Sequence, residues 1–372
     1  MHRRTWLLLP AGVSLLAGLD AALLLLEVPA PVTAAHLPSA HGILMVLGFL
    51  GTLISLERAV ALRTTWAYAA PVLLRAGGLA LAAGPRLIGQ VLLIDGMIAF
   101  LTVAATLWRR QRDGAVAVEV LAVTHGLAAA LLWTRLEVAP LVPLLVGFIV
   151  LTISAERVEL ARLQLGRSAD LRLLGFAGAY AVATSSALLW PALGSRLVAL
   201  VLLALMAWLV RHDVARRMIR STGLPRFSAA AMLLGWGWLA AASVVWLVVG
   251  APTSRESYDV VVHGVFLGFG MSMVLAHAPV ILPAILRRPL PYRPLLWTPL
   301  VVLHLSLAAR LLGDGLGVDV LWRGGSIGTV VALLLLPITA VTSILMGPPA
   351  RPSAKATPTA SPTHPLLTEV QQ

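Results

Sequence analysis

The sequence predicts an all-α polytopic membrane protein of about twelve transmembrane helices, on three observations. The 372-residue chain is 59% hydrophobic and only 12% charged, with a mean hydropathy of +0.91. A water-soluble fold of that composition would have to expose apolar surface. Runs of mostly apolar residues recur, each reaching the roughly 18 residues needed to cross a hydrocarbon core about 30 Å thick. The runs are continuous and do not alternate with period two, which selects helices over a closed barrel, the other way to satisfy backbone groups in lipid.

The spans fall at residues 5–26, 40–62, 65–84, 87–108, 115–135, 138–156, 171–190, 193–210, 228–250, 258–286, 292–312 and 325–346, so that residues 1–346 form one transmembrane domain. The first resembles a secretory leader, with a basic start, an apolar body and small residues at its end. It is longer than an ordinary leader core and contains Asp20, so it reads as a retained span. Trp6, Trp66, Trp108, Trp133, Trp190 and Trp322 stand near span ends, where amphipathic rings anchor at the interface. Residues 347–372 are rich in Pro, Ser and Thr and read as a disordered cytoplasmic tail.

Basic residues set the orientation. Of the 28 Lys and Arg, 21 fall on one side of the alternating spans, five on the other (Arg86, Arg135, Arg196, Arg255, Arg323) and two, Arg75 and Arg310, inside spans. The positive-inside rule puts both termini in the cytoplasm, in a bacterial inner membrane. An odd number of spans would scramble this alternation. The net charge of +12 is therefore topology rather than a nucleic-acid patch, and the partner it implies is a lipid bilayer. With no cysteine, disulfides, thiolate metal sites, iron–sulfur clusters and covalently attached haem are excluded, leaving His, Met, carboxylates or backbone for any metal chemistry.

An internal echo organises the spans. "GFLGTLISLERA" (Gly48–Ala59) in span 2 and "GFIVLTISAERV" (Gly147–Val158) in span 6 match at an offset of 99 residues. Span 10 carries a weaker copy, "GFGMSMVLAHAP" (Gly268–Pro279), with His277 where the others have Glu57 and Glu156. Spans 2, 6 and 10 are four apart, which suggests three pseudo-repeats of four helices. The plainer reading is a Gly-Phe packing feature with a Ser-x-Glu-Arg cap at the inner interface.

Nine histidines remain to be placed. His2 and His364 lie in the termini and His212 in a cytoplasmic basic loop. His36 and His41 stand at the outer end of span 2, and His263 about one turn inside the outer end of span 10. His125, His277 and His304 lie deeper in spans 5, 10 and 11. Ionisable groups in hydrocarbon are costly and face a bundle interior, where they mark function. A lone intramembrane histidine is more often a hydrogen-bonded packing residue, but several at matched depths are harder to dismiss. His41 and His263, at similar depth on helices descending in the same direction, suit the axial ligands of one haem between helices.

His263 and His277 are 14 residues apart, about 21 Å along an α-helix and on nearly the same face. Such a pair would serve two centres at different depths. The lower centre would draw on His277 with either His304 or His125, and copper suits imidazole there. His36 points about 140° from His41 and reads as a lip residue or alternative ligand. Arg255 or Arg310, on the outer side, could hold haem propionates. Among the remaining buried charges, Arg75 and Asp95 lie at matching depth and suggest an ion pair, Glu119 sits within span 5, and Asp20 is a candidate for proton or ligand chemistry. Gly42, Gly48, Gly51, Gly264, Gly268 and Gly270 would admit either a planar cofactor or close helix packing. Pro279 and Pro283 should kink span 10.

The twelve-span pattern, with histidines on spans 2 and 10, resembles the catalytic subunit of haem–copper oxidases. "HLPSAHGILMVLGF" (His36–Phe49) is similar to the "HAHEM…GF" motif of the NnrS family of haem- and copper-containing membrane proteins, and "VVHGVFLGFGMSMVLAHAP" (Val261–Pro279) to its histidine-bearing late helix. These segments cover under a fifth of the chain. The resemblance implies axial haem ligation by His41 with His263, and also His277, with the haem b-type since nothing would attach it covalently. The oxidases carry a histidine on their sixth helix and a pair on their seventh; spans 6 and 7 here have none, which argues against an oxygen-reducing haem–copper site.

The reading this supports is a haem-binding membrane protein for electron transfer or for handling nitric oxide or a similar small ligand, with a redox donor protein as partner. The alternative is a proton-coupled secondary transporter without cofactor, which the internal repeats and buried Asp20, Asp95 and Arg75 also fit. A third is a cofactor-free scaffold subunit.

Overall fold

A computed structural model describes residues 9–161, 165, 166, 168–286 and 288–347; the expected tail beyond 347 lies outside them. The described chain is helical and has no strand, and eleven of its helices are long and apolar enough to span a membrane. We number the helices α1 (Leu9–Leu25), α2 (Leu37–Leu62), α3 (Thr65–Ala83), α4 (Arg86–Gln111), α5 (Gly114–Leu132), α6 (Val138–Leu160), α7 (Ser168–Leu189), α8 (Pro191–His212), α9 (Gly223–Val249), α10 (Arg255–Pro283), α11 (Pro294–Gly315) and α12 (Asp319–Leu345). The described part of α1 is the shorter one, at 17 residues. The protein is thus an all-α, multi-pass membrane protein, with helices at all twelve expected places.

Ends differ where local chemistry extends a helix beyond its apolar run. α2 starts earlier than residue 40 because Pro38 sits in its first turn, where the ring's fixed φ suits a helix and no N–H is wasted. α10 starts at Arg255 because the Ser254 side chain accepts the backbone N–H of Ser257 at 3.3 Å.

Sequence neighbours pair as hairpins, α3 with α4, α5 with α6, α7 with α8 and α11 with α12. Three helices occupy the centre. In α2 and α10, 67% of the apolar window is buried inside the protein, and in α6 83%; no other span exceeds 56%. These are the spans that carry the sequence echo. The remaining helices form a sleeve whose exposed Leu, Val and Ile side chains suit lipid, as the absence of a water-driven preference between helix and lipid surfaces allows.

Both α2 and α10 leave α-helical geometry midway. Leu44–Gly51 and Gly264–Met271 are π-helical, with i→i+5 hydrogen bonds. The two segments are 220 residues apart, the same offset that relates Gly48-Phe49 to Gly268-Phe269. At their ends the hydroxyls of Thr52 and Ser272 donate to the carbonyls of Gly48 and Gly268. Close approach needs glycine at Gly78 of α3: a Cβ there would collide with the Ser14 hydroxyl of α1 and stand 3.5 Å from the Gly48 Cα. Pro279 and Pro283 lie inside the continuing helix.

The expected pairing of Arg75 with Asp95 is not formed. No ion pair joins them among the described residues, and Asp95 is exposed on α4. Equal depth on consecutive helices does not fix azimuth, and α4 turns this residue outward. Asp20 has a structural contact: it accepts the backbone N–H of Val32 at 3.0 Å, latching the α1–α2 connection.

Candidate functional site

Two cavities are stacked along the interface of the three central helices. The first, of about 410 Å³, lies at the N-terminal ends of α2 and α10 and is lined by His41, His263, Met45, Phe266 and Met271, among others. Arg310 and Trp322 also reach its wall. The second, of about 1080 Å³, lies toward the C-terminal ends of the same helices, with Glu57, Glu156 and His277 in its lining. Leu50 contributes to both walls.

In the first cavity each histidine is held by its Nδ1. His41 Nδ1 lies 2.8 Å from the carbonyl oxygen of Gly18 in α1. An oxygen acceptor there requires Nδ1 to carry the proton, which leaves Nε2 with its lone pair. His263 Nδ1 lies 2.6 Å from Asp259 Oδ1, one helical turn back on α10. Asp259 is in turn gripped by Arg310 of α11, whose Nε lies 3.1 and 2.9 Å from the two carboxylate oxygens and whose Nη2 lies 2.7 Å from Oδ1. A carboxylate fixing an imidazole through Nδ1 is the outer-shell arrangement that orients metal-ligating histidines. The two rings, on different helices, line one cavity.

The arginines expected near this end are engaged with protein. Arg310 serves Asp259, as above. Arg255 pairs with Asp314 at 2.9 Å and lies over the Trp322 ring, 3.8 Å from its centroid. Neither was legible as a carboxylate partner, because Asp259 and Asp314 are on other helices. Asp259 itself was findable: an acid four residues before a histidine on one helix is a neighbour by geometry alone.

The deeper histidines part company. His304 accepts the Trp238 indole N–H at Nδ1 (2.8 Å) and stands 3.2 Å from the Ser272 hydroxyl at Nε2. Both ring nitrogens are used in joining α9, α10 and α11, so the structure gives His304 a packing role. His125 has Nδ1 on the Leu121 carbonyl at 2.8 Å and lies against Tyr180 of α7, away from both cavities. His36 Nε2 lies 3.2 Å from the Ala82 carbonyl at the end of α3 and lines neither cavity.

His277 reaches the second cavity, not the one His263 lines. Standing 14 residues apart, the two histidines open into cavities at different depths of the same central interface. What His277 meets instead are Glu57 and Glu156. The three positions that the sequence echo aligned thus converge on one chamber, one from each central helix. Beside it, Arg58 of α2 binds Glu119 of α5 at 2.7 Å and Glu156 of α6 at 2.7 Å, with Glu159 at 3.9 Å. Ser-x-Glu-Arg is therefore more than an interface cap: its arginine is the buried hub that ties α2, α5 and α6 together.

Among the described residues no group of three or more His, Asp and Glu gathers as a set of metal ligands. A pair of imidazoles would hold a haem without such a group, and the first cavity offers that donor set: two imidazoles, each with Nδ1 beside an oxygen, in an apolar slot.

The chain belongs to the family described as "Domain of unknown function (DUF8744)", whose model it matches over residues 4–345. No curated protein and no solved structure matches it.

Proposed function

We propose that this DUF8744 family member is a haem-binding integral membrane protein in which His41 and His263 supply the axial Nε2 atoms, for electron transfer or for handling nitric oxide or a similar small ligand. One observation carries the reading. Imidazoles from two central helices line a single apolar cavity, each with Nδ1 committed to an oxygen and Nε2 left to bind. When bound, a b-type haem would supply one-electron exchange at its iron. The chain's own residues do the rest. Gly18 and Asp259 hold the two rings in their tautomer, Arg310 holds Asp259, and Met45, Phe266 and Met271 keep the slot dry. The basic-residue asymmetry supports a bacterial inner membrane with both termini cytoplasmic and this cavity on the periplasmic side, where a redox donor protein would meet it. The nitric-oxide setting rests on the NnrS resemblance.

The test is optical. Protein purified from haem-replete cells should show a Soret band, and His41→Ala or His263→Ala should each abolish or shift it, while His125→Ala and His304→Ala should not. A colourless preparation that stays colourless on haem titration overturns the proposal.

A second reading, the proton-coupled transporter, is favoured by the second cavity, whose Glu57, Glu156 and His277 come from three different helices. Colour separates the two.

A further inference from the structure

The polar groups at the Glu57 end of the second cavity are alike in one respect: they accept. His277 has Nδ1 2.8 Å from the Met273 carbonyl, so its proton sits there and its lone pair at Nε2, an atom buried from solvent with no hydrogen-bond partner. Glu57 and Glu156 present carboxylates. Arg288 also reaches the wall. The Arg58 guanidinium is shared among Glu119, Glu156 and Glu159, and the neighbouring Arg157 is taken by Asp213 at 2.9 Å. A buried acceptor without a donor is costly, and so is uncompensated charge in a dry site. The rest of the chamber is aliphatic, with Leu53, Ile54, Ile153 and Leu336 in its walls.

We propose that this cavity binds an amphiphilic organic cation, with an ammonium head donating to Glu57, Glu156 and His277 Nε2 and an apolar body along the aliphatic walls. A compact metal ion does not suit it, since the described acidic and histidine side chains form no coordinating group of three. A neutral lipid tail would leave His277 Nε2 unmet. The inference is independent of the haem reading: it uses none of the residues that hold His41 or His263.

The probe is dansylcadaverine, a primary alkylammonium with an aromatic body, titrated by fluorescence against full-length protein in phosphatidylcholine nanodiscs. Saturable binding is expected, with the N-acetylated, uncharged analogue weaker by about tenfold or more, the scale of one charge-assisted hydrogen bond. Glu57→Gln and His277→Leu should each weaken dansylcadaverine by about tenfold and leave the analogue's residual binding unchanged. Equal binding of the charged and acetylated probes by the wild type overturns the proposal, as does full affinity in a folded Glu57→Gln protein. Should a variant fail to fold, the wild-type comparison decides alone. A missing Soret band would refute the haem proposal without touching this one.

Discussion

Replacing Asp259 by Asn changes almost no volume, so its effect isolates charge. Asp259 is 6% exposed and the Arg310 side chain 13%; salt and solvent screen such a pair little. Asn keeps one carbonyl oxygen for His263, but its amide faces a guanidinium that had three contacts of 3.1 Å or less. Removing one member of a buried ion pair costs about 3–5 kcal/mol, most of it the charge left behind. Asp259→Asn should therefore lower unfolding free energy by about that amount, read from reversible unfolding in dodecyl maltoside with increasing SDS. Adding Arg310→Met removes the stranded charge, and the double variant should regain most of the loss. Haem affinity, where haem binds, should fall by about 10- to 100-fold in the single variant, because His263 loses its anchor. A single variant within about 1 kcal/mol of wild type, or a double variant worse than the single, would refute the assignment of Asp259 and Arg310 as a buried pair that positions His263.

Arg58→Met strands Glu119 and Glu156, and should cost about 3–5 kcal/mol in the same unfolding assay. Glu159→Gln, at 3.9 Å and with its side chain 38% exposed, should cost well under about 1 kcal/mol. His304→Leu leaves the Trp238 N–H unmet between α9 and α11; a loss of about 1–3 kcal/mol is expected, with any Soret band unmoved. Gly78→Val drives a side chain into Ser14 and the Gly48 backbone; overpacking there should cost about 1–3 kcal/mol, and a stability equal to wild type would mean that α1, α2 and α3 do not cross there.

Much of the architecture is written in hydropathy, because a span needs only length and apolarity. The echo of Glu57, Glu156 and His277 was readable too, and its meaning emerged once α2, α6 and α10 proved to be the buried centre. Azimuth was not readable. Arg75 and Asp95 share a depth but not a face, and Arg310 could be paired with Asp259 only when α11 was seen against α10. Nor do the π segments have a compositional signature: eight residues of Gly, Phe, Leu, Met and Val look like any packed helix, and the hydrogen-bond shift is decided by neighbours. The 14-residue spacing of His263 and His277, by contrast, was enough to place them in chambers at different depths. His304 shows a further limit, since its two partners, Trp238 and Ser272, come from two other helices and no spacing rule links them.

Leu50 belongs to both chambers, and this makes it an insulator. A bilayer protein with a hollow at each end leaks only if the hollows join, and the isobutyl group of Leu50 is part of the wall that keeps them apart. Trimming that side chain would thin the partition, and widening it would thicken it.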